Sequence, residues 1–235
     1  MRKLLLIIYM AFSLSASELI IFSASSTKDA MSEVISEFEK THSDIKVKAT
    51  YGASGKAYAQ LSSGLEYELF FSADESYAKR IFSDGLALEE PKVYANGVVA
   101  LYAHDAKDTS LEALRTAKHV SIANPKVAPY GVSAMQILDS LGLDLKSKLV
   151  QGDNIAQSVQ FVDSGAAEVG LVAFSLIKTT KDSSHYLVID ETLHAPLRQS
   201  FVITKYAKDL ASAKLFEEFV LSQKAKEIFS KYGFK

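Results

Sequence analysis

The chain of 235 residues contains no cysteine. Neither disulfides nor thiolate metal sites can hold it together, so its apolar core must suffice. Lipid attachment through a cysteine behind a signal segment is excluded for the same reason. Only four prolines occur, and crossings between parts of the fold therefore read as strands rather than loose linkers. Charge of one sign is not in excess: 26 Lys and Arg stand against 28 Asp and Glu, which is not the basic footprint of a nucleic-acid binder. Beyond the first 17 residues no apolar stretch approaches the roughly 20 residues that span a bilayer. Low-complexity tracts and short-period repeats are missing too.

Catalytic signatures are equally scarce. No G-x-S-x-G elbow occurs, which weakens a serine-hydrolase reading. Gly52-Ala53-Ser54-Gly55-Lys56 echoes a phosphate loop, but Thr50 stands where the first glycine of the Walker spacing belongs, and Ala57 replaces the hydroxyl residue after the lysine. His42, His104, His119, His185 and His194 have no metal-like spacing, so no residue is assigned as a cation ligand and no cofactor is expected. The pairs Glu89-Glu90 and Glu217-Glu218 read as solvated faces, and Asp74 as a helix cap rather than a base. An enzyme is not expected.

What is present begins with an export signal. Arg2 and Lys3 precede an apolar run from Leu4 to Leu14, and Ser15-Ala16-Ser17 supplies small-residue cleavage chemistry. Residues 1–17 are therefore expected to be a signal peptide and the product to be periplasmic. Behind it, strands and helices alternate, the pattern of a doubly wound α/β sheet. Met31, Val34, Ile35 and Phe38 follow the i, i+3, i+4, i+7 rule, so residues 27–40 read as a helix with one buried stripe. Leu69-Phe70-Phe71 reads as a buried strand, Gly97 to Ala103 as a longer one, and Phe201 to Thr204 as a return strand before two closing helices. The chain thus divides into two lobes: residues 18–95 with 203–235, and residues 96–202. The crossings fall near 93–97 and 198–203, and a cleft between such lobes is where small ligands bind.

The most informative local pattern occurs twice. Leu19-Ile20-Ile21-Phe22 runs into Ser23-Ala24-Ser25-Ser26-Thr27 and a helix; Ile45 to Thr50 runs into Tyr51-Gly52-Ala53-Ser54-Gly55 and another. A serine at a helix start can be a plain N-cap, worth about 1 kcal/mol. It can also offer its hydroxyl, beside free N–H groups and the positive helix end, to an anion. Two such serines, Ser26 and Ser54, at the carboxyl edge of one sheet favour the anion, because ligands of open α/β sheets sit at that edge. The second lobe repeats the geometry at Pro129-Tyr130-Gly131, whose glycine would let a ligand approach the backbone, and at Asp153-Asn154-Ile155.

The chain resembles the periplasmic molybdate-binding proteins of bacterial molybdate ABC transporters. The resemblance is carried, in order along nearly the whole mature chain, by Phe22 to Ser26 with Asp29-Ala30-Met31, Tyr51 to Gly55, Glu68 to Asp74, Asn124-Pro125, Ala128 to Gly131, Asp153-Asn154-Ile155, Gly170-Leu171-Val172 and Ala225 to Phe234. It implies a two-lobe type II periplasmic binding fold, with each lobe a mostly parallel sheet flanked by helices and two crossover strands between them. It also implies a monomer that captures molybdate or tungstate between the lobes and hands it to a membrane permease. The implied oxyanion donors are the hydroxyls of Ser26 and Ser54 and the backbone N–H groups of Tyr130 and Ile155. Two departures stand out: Ala173 occupies a position where some members carry a tyrosine hydroxyl, and Gln199-Ser200 replaces a frequent Tyr-Pro. The alternatives are a receptor for sulfate or another small anion, and a secreted hydrolase using Ser26 or Ser54.

Overall fold

The computed structural model describes residues 17–235, so the expected signal segment lies, but for Ser17, outside the described residues. Ser17 itself opens the first strand: its amide donates to the Asp44 carbonyl at 2.8 Å and its hydroxyl to Asp209 at 2.8 Å.

Two five-stranded sheets carry the fold. The first contains β1 (Ser17–Ala24), β2 (Ile45–Gly52), β3 (Leu69–Ser72), β4 (Lys92–Gly97) and β10 (Leu197–Ile203), in the order β2-β1-β3-β10-β4. The second contains β5 (Val99–Ala103), β6 (Val120–Ala123), β7 (Leu149–Gly152), β8 (Val169–Ala173) and β9 (Tyr186–Val188), in the order β7-β6-β8-β5-β9. Four strands of each sheet run in one direction, and three of them are neighbours paired parallel and joined through helices, as parallel pairing requires. The strands nearest the crossings pair antiparallel. Both sheets are therefore mixed but mostly parallel, as expected, with β10 in the first and β5 in the second the reversed strands.

Helices cover both faces. α1 (Lys28–Thr41) turns Met31, Val34 and Phe38 onto the first sheet, as their spacing requires. α7 (Leu210–Leu221) and α8 (Gln223–Lys231) share that face, contributing Phe216, Val220, Ile228 and Phe229. α2 (Ser54–Ser62) and α3 (Glu75–Ser83) bury Ala57, Leu61, Ala78 and Ile81 on the other. Leu215, whose place in the apolar pattern of its helix suggests burial, is exposed at 39%. In the second lobe the short α4 (Ala113–Thr116), α5 (Pro129–Ser140) and α6 (Ile155–Asp163) enclose a core centred on Leu101, Ile122, Val169 and Leu171.

The crossings differ from the sequence expectation in a way that matters for the hinge. Gly97 to Ala103 is not one strand: Gly97 ends β4 in the first sheet, Val98 crosses alone, and Val99 begins β5 in the second. The return leg is Ile189 to Pro196, and all of β10 lies in the first sheet. Residues 96–97 and 197–202 thus belong to the first sheet rather than to the second lobe. A run of apolar residues reports burial on both sides of the crossing and cannot say which sheet supplies it.

Glu217 also departs from expectation. It is buried rather than solvated, and its carboxylate binds Lys92 at 2.8 Å and Lys214 at 2.9 Å.

Candidate functional site

The first serine turn follows β1 directly. Ser25–Thr27 forms a single 3-10 turn leading into α1, and neither serine caps it: its N-cap is Ala24, with no side-chain cap bond. The turn is held instead by Thr27, whose hydroxyl donates to the Ala24 carbonyl at 2.8 Å and pairs with the Ser23 hydroxyl at 2.6 Å. Ser25 Oγ and Ser26 Oγ are left buried without a hydrogen-bond partner. Leaving a buried hydroxyl unpaired costs about 1–3 kcal/mol. Two in succession mark a place where something else supplies the acceptor. Among the described residues one further buried side-chain atom is unpartnered, His194 Nε2, on the return crossing.

The second turn uses its serine differently. Ala53 is the N-cap of α2 and Ser54 the first helical residue. Ser54 Oγ accepts the Ala73 N–H at 3.1 Å, which occupies a lone pair and leaves the hydroxyl hydrogen to be donated. Asp74, as expected, caps α3 through its side chain.

On the second lobe, Asn154 caps α6 by accepting from the Ala156 and Gln157 amides at 3.0 and 3.2 Å. The Ile155 amide ahead of them stays free. α5 opens with Pro129, which has no amide to satisfy, followed by Tyr130. The N–H groups of Ser26, Ser54, Tyr130 and Ile155 find no acceptor among the described residues. Gly131 does not face the cleft. A β-carbon there would stand 2.2 Å from the Ala123 carbonyl oxygen, so the glycine lets α5 start hard against β6.

All four expected residues line one small cavity, with Ser25, the β1 and β2 turns, Ala73, Ala128 and Pro129 completing its wall; the space in it open to water is about 10 Å³. That is roughly room for one water, far below the roughly 300–1,000 Å³ of sites for drug-sized ligands. No charged side chain lines it. Its one titratable neighbour is Tyr130, whose phenol burial pushes well above the usual value, with Ser26 and Gln199 offsetting part of the effect. It is therefore neutral in the physiological range. Behind it, Gln199 Nε2 lies 3.5 Å from the Tyr130 hydroxyl, and Tyr94 donates to Gln199 Oε1 at 3.4 Å. Gln199-Ser200 coincides with a register shift in β10 against β4. Ala173 is fully buried in the second-lobe core and does not line the cavity.

The cleft is shut over this cavity. The Gly55 amide donates to the Val127 carbonyl at 2.8 Å, Lys56 pairs with Asp153 at 2.9 Å, and the Ser175 hydroxyl donates to the Ser26 carbonyl at 2.6 Å. Ala24, Ala53 and Ala73 of the first-lobe turns pack into the second-lobe core. Among the described residues no cluster of three His, Asp or Glu could hold a metal cation.

Sequence reasoning missed Ser25. Four hydroxyl residues lie between Ser23 and Thr27, and only the 3-10 winding decides which of them turn inward.

Residues 19–235 match the family of bacterial extracellular solute-binding proteins. The chain belongs to that family. Among its relatives, this solute-binding protein is 35% identical to the molybdate-binding protein ModA of Azotobacter vinelandii, over 96% of this chain and 92% of the relative. It is 34% identical to ModA of Rhodobacter capsulatus, over 98% and 93%. The solved structure of the Azotobacter vinelandii periplasmic molybdate-binding protein superposes with a TM-score of 0.87 at 29% identity, covering 92% of this chain and 98% of that one.

Proposed function

We propose that this solute-binding protein captures molybdate, and tungstate with it, in the cavity between its lobes and delivers the anion to an ABC permease from the periplasm. The single observation that carries the reading is the pair of buried, unpartnered hydroxyls at Ser25 and Ser26, in a cavity with no charged side chain. Likeness to molybdate-binding relatives over nearly the whole chain supports the choice of anion.

The chemistry agrees. Molybdate is fully deprotonated near neutral pH and needs donors only; hydrogen phosphate would also need a buried acceptor for its proton, and no carboxylate lines the cavity. The proposed donors are the hydroxyls of Ser25, Ser26 and Ser54 and the amides of Ser26, Ser54, Tyr130 and Ile155. Hydrogen bonds to a charged group contribute about 1.5–3 kcal/mol each. Half a dozen, less desolvation, reach the roughly −8 to −12 kcal/mol of micromolar to nanomolar binding. A hydrolase would need a base beside Ser26 or Ser54, and no His, Asp or Glu lines the cavity to serve as one.

Competition calorimetry with molybdate, tungstate and sulfate tests the reading. One molybdate per chain with micromolar or tighter affinity is expected, with tungstate competing. Absence of molybdate binding, or sulfate displacing it at equal concentration, would sink the assignment.

A further inference from the structure

Of the bonds that cross the cleft beside the cavity, two end on residues of the site itself: a long one from Gln199 to the Tyr130 hydroxyl at 3.5 Å, and a short one from Ser175 to Ser26. Ser175 sits in the 3-10 turn Phe174–Leu176, which follows β8 of the second sheet. Its hydroxyl reaches across to the Ser26 carbonyl at 2.6 Å, and both residues are almost fully buried, at 4% and 1% exposure. The bonds from Gly55 to Val127 and from Lys56 to Asp153 end on residues outside the proposed donor set. The Lys56 and Asp153 side chains are also exposed, at 47% and 70%, where an ion pair contributes little.

The amide of Lys28 is accepted by Ser25 rather than Ser26, and the Ser175 hydroxyl is the side-chain donor to the Ser26 carbonyl. With the lobes apart, water would satisfy that oxygen; with the lobes shut, water is excluded and Ser175 is its partner. The contact therefore belongs to the closed arrangement only.

We infer that Ser175 is a closure-dependent positioning residue: its hydroxyl latches the second lobe onto the Ser25–Thr27 turn and fixes that turn's inward hydroxyls when the cleft shuts. Thr27 and Ser23 brace the same turn from inside the first lobe in any state. Ser175 adds the brace that depends on closure. A bond made after encounter and broken before escape acts on release, not capture. The inference rests on the anion-receptor reading for its consequence, but the latch itself is a property of the two lobes.

The test compares the wild-type chain with Ser175→Ala and Ser175→Thr. Release of radiolabelled molybdate, chased with excess tungstate, is expected to be roughly three- to tenfold faster in Ser175→Ala, the factor that one buried hydrogen bond carries. Association should be unchanged, and Ser175→Thr should restore slow release because it keeps the hydroxyl. A ligand-free measurement runs beside it. Spin labels at exposed Lys48→Cys on the first lobe and Lys146→Cys on the second should report a smaller closed population in Ser175→Ala. The chain's lack of cysteine makes the labelling specific. Equal release rates and equal closed populations would overturn the latch, as would an effect confined to association. A wild-type chain that ignores molybdate in calorimetry would sink the receptor reading alone, since the label distances judge the latch without any ligand.

Discussion

Ser26 and Ser54 stand at equivalent points of two strand–turn–helix units but are prepared differently. Ser54 has a lone pair committed to the Ala73 amide, so what remains is a hydrogen to give. The Ser26 hydroxyl makes no hydrogen bond of acceptable geometry, though it lies beside the Tyr130 phenol. Removing both hydroxyls takes two charge-assisted donors from the proposed anion. Ser26→Ala combined with Ser54→Ala is therefore expected to weaken molybdate binding by about 3 kcal/mol or more, using the lower value per bond, which is beyond about a hundredfold in Kd. Calorimetry on the double variant checks this, and an unchanged Kd would remove both serines from the donor set. At this scale much of the cavity was legible: Ser26, Ser54, Tyr130 and Ile155 all line it, because a hydroxyl or free amide at a helix start is written in local sequence. Ser25 was not legible, since adjacent serines look alike until the turn is wound. Nor was Ser175, whose partner lies 149 residues away in the chain.

Among elements, legibility followed the strength of the periodic signal. α1 has a stripe spanning two turns and was readable to within about a residue at each end. β7 and β9 are four and three residues long and partly exposed, too short for alternation to register. β10 starts four residues before its apolar part because polar Arg198, Gln199 and Ser200 lie within it. A buried acid between elements is harder still to see. Glu68, at 1% exposure, accepts the Ile20 amide and the Lys208 amide, each at 2.8 Å, and so ties β1 to the segment before α7. In Glu68→Gln one of these amides would face an NH₂ donor instead of an oxygen. The expected loss is about 2–3 kcal/mol of folding stability, that of a charge-assisted bond replaced by an unsatisfied pair. Urea denaturation measures it; a variant as stable as the parent would show that these two contacts do not hold the elements together.

On the scale of the molecule, each half supplies an incomplete shell. Of the proposed donors, the three hydroxyls lie on the first lobe and the Tyr130 and Ile155 amides on the second, so on that reading the wall around an anion closes only when the lobes meet. Val98 as the lone residue between β4 and β5, and Ile189 to Pro196 on the return, leave two narrow connections about which the lobes can turn. Narrow connections allow hinge closure, and they also leave the lobes free to unfold separately when nothing spans them. An anion held by both should couple them. With free molybdate at about 1,000 times its Kd, linkage adds about 4 kcal/mol to the stability of the bound form. For a chain of this size each kcal/mol moves Tm by roughly 2–4 °C, so a rise of about 10 °C in a single transition is expected over a potassium chloride control of equal ionic strength. Differential scanning calorimetry reads both quantities at once. Two transitions, of which molybdate raises one and leaves the other in place, would mean that the anion is held by one lobe alone.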